Sequence, residues 1–284
     1  MNFLIVDAFT SEPFGGNPAG VVLLENGTPF PTDTLMTRIA AELRYSETAF
    51  VQQGQDPLEF TLRYFTPCGE VDLCGHATIA AFGLMMSQGI VGDGQHCINH
   101  TKAGDITVMV GNQVMMTMAP PAAIPKPLDI KRLKNIIGWQ QADHTMTLQP
   151  EVISTGLPDI IMPVDTVKTL NALSPDMEAM AAYCQELEVV GVHAFALTDD
   201  GHTAHVRNFA PLYGIPEEAA TGTANAALTH YLHRNGIICG KTWCSFLQGK
   251  AMGRPSNVTT WLTEDGNILV GGNCRIIASG NLLL

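Results

Sequence analysis

Residues 74–89, CGHATIAAFGLMMSQG, and residues 221–236, TGTANAALTHYLHRNG, align without a gap at an offset of 147 positions. The identical pairs are Gly75/Gly222, Ala77/Ala224, Ala80/Ala227 and Gly89/Gly236. Upstream, RYFTP at 63–67 aligns with RNFAP at 207–211 at an offset of 144 positions. These matches predict an internal repeat in which each half of the chain contributes one similar helix.

The first turns of both predicted helices consist almost entirely of Gly, Ala and Thr. Because small side chains let other backbone approach closely, we expect both helices to be central and buried. The first N–H groups of a helix lack intrahelical partners, and the helix dipole favours negative charge there. Two helix starts that face each other across a cleft would therefore bind a small anion.

This repeat predicts the α+β class, with two pseudo-symmetric lobes that are each a curved, mostly antiparallel sheet around a central helix. Prolines 120, 121, 125 and 127 are typical of a linker. We therefore expect an N-terminal lobe at 1–121 and a C-terminal lobe at 122–284, with the last strand as a candidate to return to the first lobe.

The charge and the cysteine content indicate which partners the protein is expected to bind and in which compartment it is expected to fold. The net charge is −12 and no basic run occurs, which argues against nucleic acid and membrane surfaces as partners. The seven cysteines are an odd number without a tight disulfide framework. Residues 1–7 lack the basic segment of a signal peptide, so we expect a cytoplasmic protein with free thiols.

Glu47 is the first candidate for chemistry. In a strand predicted at 46–52 its side chain would share one face with Ala49 and Val51. A carboxylate on an apolar face loses hydration, which raises its pKa and suits it to proton transfer near neutral pH. On the residues alone, the favoured alternative is a structural acid at a sheet edge whose head reaches water.

Other candidates lie beside the two helix starts. His76 could donate to a substrate carboxylate or relay a proton, but it could equally bond to nearby backbone. Cys74 would be reactive if exposed and inert if buried. Glu218, three residues before Thr221, is either a second site carboxyl or an acid favoured by the helix dipole. Thr223, the repeat partner of His76, could bind an anion or cap the helix.

Several stretches together resemble the phenazine-biosynthesis isomerase-like (PhzF-like) family, which is built on the diaminopimelate epimerase fold. The resemblance runs nearly end to end. It is carried by DAFT at 7–10, FGGNPAGV at 14–21, SETAF at 46–50, RYFTP at 63–67, EVDLCGHAT at 70–78, ATGTA at 220–224 and GRPS at 253–256.

The resemblance implies a site between two lobes, with neither a metal nor an organic cofactor, and suggests a homodimer. It implies a cofactor-independent isomerase that moves a proton on a small carboxylated cyclic or conjugated substrate. Glu47 would be the general acid/base, assisted by His76, with Glu218 as a second carboxyl. The substrate-binding residues would be Asn17, Cys74, Gly75, Thr221, Gly222 and Thr223.

The chain also departs from the family pattern. Relatives commonly have EDPATGSA where residues 217–224 read EEAATGTA, so Glu218, Ala219 and Thr223 replace Asp, Pro and Ser. The longer arm of Glu218 moves the carboxylate by about one C–C bond, which matters where positioning tolerance is below an ångström. The substrate of the best-known relatives therefore need not be the substrate here.

Two alternatives follow from these residues. One is a racemase or dehydratase that works with the single thiol of Cys74, because Thr221 stands where the epimerases of this fold have a second thiol. The other is a non-catalytic metabolite-binding or scaffold protein that has kept the cleft.

Overall fold

The computed structural model describes residues 1–139 and 148–283. The chain divides into two compact units. Unit 1 comprises Met1–Thr117 and Gly271–Leu284, and unit 2 comprises Met118–Val270. Each unit is described by itself below.

Unit 1 is built mainly from short strands and two helices. In chain order its elements are β1 (Asn2–Ala8), β2 (Asn17–Leu23), α1 (Asp33–Leu43), β3 (Thr48–Gln53), β4 (Glu59–Thr66), β5 (Gly69–Val71), α2 (Gly75–Ser87), β6 (His96–Thr101), β7 (Gly104–Val110), β8 (Val114–Thr117) and, from the end of the chain, β18 (Cys274–Asn281).

Antiparallel pairing dominates the sheet of unit 1. β1 lies between β2 and β18, β4 pairs with both β3 and β5, and β7 pairs with both β6 and β8, all antiparallel. Two parallel pairs, β2 with β3 and β4 with β6, follow the crossovers through α1 and α2. The C-terminal strand β18 is thus part of the same sheet as the N-terminal strand β1.

Helix α2 is the centre of unit 1. Every residue from His76 to Met85 is buried, so the helix has no solvent-facing side over its first turns. It contacts β1, β2, β3, β7, β8 and β18. A helix that is apolar all round is expected to be enclosed, and Gly, Ala and Thr at its start keep its diameter small enough for this.

Gly83 shows how tightly the sheet surrounds α2. A Cβ atom at this position would lie 2.5 Å from Cys274 Sγ and 2.7 Å from Cys274 Cβ. The Cys274 thiol also donates to the carbonyl of Ile79 at 3.1 Å. Strand β18 therefore crosses α2 at a distance that only glycine permits.

Unit 2, with four α-helices among its described residues where unit 1 has two, has a similar succession of elements. They are β9 (Ala122–Ile124), α3 (Ile130–Ile136), β10 (Glu151–Ser154), β11 (Pro158–Pro163), α4 (Val167–Ala172), α5 (Met177–Leu187), β12 (Gly191–Leu197), β13 (Ala204–Ala210), β14 (Ile215–Glu218), α6 (Gly222–Arg234), β15 (Thr242–Gln248), β16 (Ser256–Leu262) and β17 (Ile268–Gly272).

The pairing in unit 2 matches that in unit 1 strand for strand. β10 lies between β9 and β11, β13 pairs with both β12 and β14, and β15 pairs with β16, all antiparallel. The parallel pairs are β11 with β12 and β13 with β15, which again flank the helical crossovers. The predicted α+β class, with two similar units that each hold a mostly antiparallel sheet and a central helix, is confirmed.

Helix α6 is the counterpart of α2 and packs on one face of the unit 2 sheet, in contact with β10, β11 and β16. The opposite face carries an apolar core of Ile160, Met162, Val192 and Phe209, against which α3, α4 and α5 pack. This division matters for the site, since polar side chains of unit 2 gather on the α6 side.

One expectation about local structure needs correction. Glu47 does not lie in a strand but immediately before β3. Glu218 lies three residues before the N-cap of α6, as the sequence indicates, and it is the last residue of β14, a strand that was not predicted.

The described cysteines are all free thiols, as expected. Within residues 1–139 and 148–283, no helix is both long enough and apolar enough to cross a membrane.

The close approach at Gly83 predicts that Gly83→Ala destabilises the protein. Alanine has the better helix propensity by about 1 kcal/mol, yet the clash with Cys274 should outweigh it and lower the free energy of unfolding by about 1–3 kcal/mol. Chemical denaturation of Gly83→Ala beside Gly92→Ala, whose added Cβ would meet only ordinary contacts, measures this. Equal stability of the two variants would contradict the proposed packing.

Candidate active site

Glu47 lies in the short connection between α1 and β3. Helix α1 ends at Arg44, which takes the left-handed conformation with φ of 61°. Strand β3 begins at Thr48, which pairs with Gly20 of β2. The Glu47 carbonyl accepts the Gly20 N–H at 3.2 Å, so its backbone is anchored although its side chain leaves the strand register.

The Glu47 carboxylate faces His76. Glu47 Oε2 lies 3.2 Å from His76 Nε2, which is within ion-pair distance. This oxygen is buried, and among the described residues it makes no hydrogen bond of good geometry. His76 is 6% exposed and Ser46 Oγ lies 3.5 Å from its Nε2. A carboxylate and an imidazole at this distance can exchange a proton with one another or with a bound molecule.

Cys74 completes this group beside the imidazole. Its Sγ lies 3.4 Å from His76 Nδ1 and 3.8 Å from His76 Nε2, and the residue is 8% exposed. Of the two alternatives that the sequence left open for this thiol, the structure therefore shows the buried one. Donor atoms of Glu47, Cys74 and His76 all lie within 4.8 Å of one another, so this set of oxygen, sulfur and nitrogen could also hold a metal ion.

The two central helices differ from the other helices at their N-termini. In α1, α3, α4 and α5 the side chain of the N-cap residue accepts a backbone N–H of the first turn; these residues are Thr32, Asp129, Thr166 and Asp176. The N-caps of α2 and α6, Cys74 and Thr221, make no such bond. Neither side chain therefore competes with a ligand for the first-turn N–H groups.

A buried chain of hydrogen bonds fixes the start of α2. Thr78 Oγ1 donates to the Cys74 carbonyl at 2.8 Å, Tyr64 Oη lies 2.6 Å from Thr78 Oγ1, and the Asn99 amide donates to Tyr64 Oη at 2.9 Å. Burial raises the pKa of Tyr64, so the phenol keeps its proton as a donor. Strands β4 and β6 thus hold the first turn of α2 from beneath.

In unit 2, the side chain of Gln248 holds the start of α6 in place. This fully buried side chain accepts the Thr221 N–H at 3.1 Å and the Asn225 amide at 2.8 Å. It donates to Thr221 Oγ1 at 3.0 Å and to the Glu218 carbonyl at 2.8 Å. One glutamine at the end of β15 therefore links the end of β14 to the start of α6.

The Glu218 side chain turns back toward the helix start. Thr221 Oγ1 donates to Glu218 Oε2 at 2.7 Å, which favours the ionised carboxylate. Thr221, which stands where the epimerases of this fold have a second thiol, thus orients the carboxylate of Glu218. Thr223 follows in the first turn, where its carbonyl accepts Thr155 Oγ1 at 2.9 Å.

The predicted site residues form two groups, each within its own unit. Unit 1 holds Asn17, the buried first residue of β2, together with Glu47, Cys74, Gly75 and His76. Unit 2 holds Glu218, Thr221, Gly222 and Thr223.

Sequence reasoning missed a pair of arginine forks that repeat between the units. Arg63 binds both carboxylate oxygens of Glu70 at 2.7 and 2.8 Å, and Arg207 binds those of Glu217 at 2.9 and 2.8 Å. Each fork ties the β4–β5 or β13–β14 hairpin together just before a central helix begins. The same offsets, 144 for the arginines and 147 for the glutamates, are visible in the sequence and could have revealed them.

The chain is similar to one known family over nearly its whole length. The family model described as "Phenazine biosynthesis-like protein" matches residues 6–280. An uncharacterized isomerase from Clostridium acetobutylicum is 30% identical over 300 residues, covering 100% of this chain and 98% of the relative. A protein named trans-2,3-dihydro-3-hydroxyanthranilate isomerase from Pseudomonas chlororaphis is 30% identical over 261 residues, covering 90% and 88%.

Solved structures give the same result. The crystal structure of a Bacillus anthracis phenazine biosynthesis protein of the PhzF family superposes with a TM-score of 0.90 at 26% identity, covering 100% of this chain and 99% of the other. Similarity of fold and sequence therefore extends over both units.

The Gln248 network predicts that Gln248→Leu lowers the free energy of unfolding by about 2–5 kcal/mol, because it removes the buried hydrogen bonds that Gln248 makes with the Thr221 N–H, the Asn225 amide and the Glu218 carbonyl. Denaturant titration beside Gln185→Leu, an exposed position on α5, provides the measurement and its control. If both variants lose the same small amount, Gln248 does not organise the start of α6.

Proposed function

This chain belongs to the phenazine biosynthesis-like family and is an isomerase of that family; on this basis we propose that it moves a proton on a small carboxylated cyclic or conjugated substrate. In this proposal Glu47 is the general acid/base and His76 assists it. The relative named as acting on a dihydro-hydroxyanthranilate suggests a ring that carries a carboxylate and a conjugated double bond.

One observation carries the proposal: Glu47 Oε2 is buried, lies 3.2 Å from His76 Nε2 and makes no hydrogen bond of good geometry among the described residues. A structural carboxylate is normally satisfied by donors when it is buried. An oxygen held without a donor beside an imidazole suits a group that must take up and release a proton.

The helix starts supply the proposed binding groups. A substrate carboxylate would accept first-turn N–H groups of α2 at Gly75 and His76, where the N-cap side chain does not intervene. We assign the same role to the start of α6 at Gly222 and Thr223. These N–H donors would also stabilise negative charge that spreads through the conjugated system as the proton leaves.

A second candidate function rests on the contact between Cys74 Sγ and His76 Nδ1 at 3.4 Å. A thiol next to an imidazole can be activated as a base. On this alternative the chain would be a racemase or dehydratase that abstracts its proton with Cys74, and Glu47 would only orient His76.

The proposal predicts that Glu47→Gln lowers kcat by about 10²- to 10⁴-fold on any substrate found by screening cyclic dienyl and amino-acid carboxylates. The glutamine keeps the shape of the side chain but cannot carry the proton, so the dissociation constant should change only a few-fold. Steady-state kinetics and calorimetric binding on the same preparations separate the two effects.

Cys74→Ser and Glu42→Gln serve as the matched variants in this experiment, since Glu42 is an exposed acid on α1. We expect both to retain most of the activity. Loss of turnover in Cys74→Ser with full activity in Glu47→Gln would replace the proposal by the thiol mechanism. Saturable binding without turnover in the wild type would favour a metabolite-binding protein.

A further inference from the structure

The thiol of Cys74 has no role in the proton transfer by Glu47, yet it lies in the same buried group as Glu47 and His76. Donor atoms of these three residues all lie within 4.8 Å of one another. Within residues 1–139 and 148–283, no other three residues of the types His, Cys, Asp and Glu form such a group. A carboxylate oxygen, an imidazole nitrogen and a sulfur are ligands that zinc binds in proteins.

The distances suit a tetrahedral ion that is bound through Nε2 of His76. Zinc–ligand bonds of about 2.0–2.3 Å place two ligand atoms of a tetrahedron about 3.4–3.6 Å apart. In the protein, His76 Nε2 lies 3.2 Å from Glu47 Oε2 and 3.8 Å from Cys74 Sγ. Both separations are within about 0.3 Å of the values that the ion requires. Small side-chain rotations would therefore bring these ligands onto an ion.

The backbone of the ligand residues is already anchored. The Glu47 carbonyl accepts the Gly20 N–H at 3.2 Å, and the Cys74 carbonyl accepts Thr78 Oγ1 at 2.8 Å. His76 lies in the first turn of α2, one residue after the helix begins. Because the three ligands are held near their binding positions before an ion arrives, the site is preorganised.

The charges of the group suit a divalent cation. The carboxylate of Glu47 and the thiolate of Cys74 carry two negative charges and a neutral His76 adds none, so the group is neutral when Zn²⁺ is bound. The thiol proton leaves to the solvent as the ion binds. The dipole of α2 disfavours a cation at this end of the helix but favours the two anionic ligands, so it has little effect on the neutral assembly. Glu47 Oε2, which makes no hydrogen bond among the described residues, gains a partner.

We propose that Glu47, His76 and Cys74 form a reversible inhibitory site for Zn²⁺, with a fourth position open to water or to a carboxylate. The side chain of Glu47 is 18% exposed, so an ion can reach the group from solvent. A bound ion occupies Glu47 Oε2 and His76 Nε2, the atoms to which we assign proton transfer, and so prevents that step. The inhibitory effect rests on the proposed function, whereas the binding of the ion does not.

The first test uses Co²⁺ alone and needs no substrate. Co²⁺ accepts the same ligands as Zn²⁺ and reports them by its absorption spectrum, whereas Zn²⁺ has none. We expect wild-type protein titrated with Co²⁺ to develop a sulfur-to-metal band in the near ultraviolet and the visible absorption of a tetrahedral ion. Zn²⁺ should displace Co²⁺ and abolish both. Absence of the sulfur band in the wild type would overturn the proposal.

Cys74→Ser identifies the sulfur ligand. It should remove the sulfur band and weaken Zn²⁺ binding, measured by calorimetry, by at least about 100-fold. The controls Cys68→Ser and Cys239→Ser, which remove exposed thiols, should leave the band and the affinity unchanged. A band that persists in Cys74→Ser, or that disappears in a control variant, would overturn the proposal, because the ion would then lie on another thiol. The wild-type titration remains decisive if a variant at Cys74 fails to fold.

The second test measures turnover of a substrate carboxylate with and without Zn²⁺. Wild-type turnover should fall by at least about 100-fold when the site is saturated, since the general acid/base is then occupied, and should return when EDTA removes the ion. Relative to its own activity without metal, Cys74→Ser should need at least about 100-fold more Zn²⁺ for the same inhibition. Equal or higher turnover in the saturated wild type would overturn the inhibitory role.

The two proposals fail in different ways. If metal-free Glu47→Gln keeps full turnover, the proposed function is wrong, and the Co²⁺ spectrum still decides whether the ion binds. If Glu47→Gln loses turnover and the wild type shows no sulfur band, proton transfer by Glu47 stands and the metal site is wrong.

Discussion

The structure depends on two buried helices that each pack against the sheet of their own unit and that begin without a side-chain cap. Enclosure requires small residues through the first turns, so Gly, Ala and Thr dominate both helix starts. Burial of α2 also requires close approach at single points, of which Gly83 against Cys274 is an example. Because the caps are absent, neighbouring strands must hold the helix starts in place. Tyr64 and Asn99 do so for α2 and Gln248 does so for α6.

The two units keep this scaffold and differ in chemistry. Each has an arginine–glutamate fork that binds the hairpin before the central helix. Around the helix start, unit 1 gathers a carboxylate, an imidazole and a thiol. Unit 2 has instead a carboxylate oriented by a threonine hydroxyl. An internal repeat can diverge in this way because packing and the buried hydrogen bonds at each helix start stabilise the sheet and the helix, whichever titratable side chains surround them.

Much of the fold could be predicted from the sequence because the repeat is visible as an offset. The positions of α2 and α6 follow from the Gly, Ala and Thr pattern. The apolar neighbours of Glu47 made it a candidate, and only the family resemblance gave it the role of acid/base. The prediction of a strand at Glu47 was wrong, since strand boundaries depend on pairing partners that local patterns do not reveal. Gln248 could not be found at all. Its role comes from burial against residues that are distant in sequence, and neither its residue type nor its spacing is unusual.

The account rests on proton transfer by Glu47. Its most direct test is proton NMR of a substrate carboxylate in D₂O, with wild-type protein and Glu47→Gln at equal concentration. The account predicts that deuterium enters one carbon of the substrate with the wild type, and that incorporation with Glu47→Gln is slower by at least about 100-fold. Equal rates of incorporation in the two proteins would contradict it.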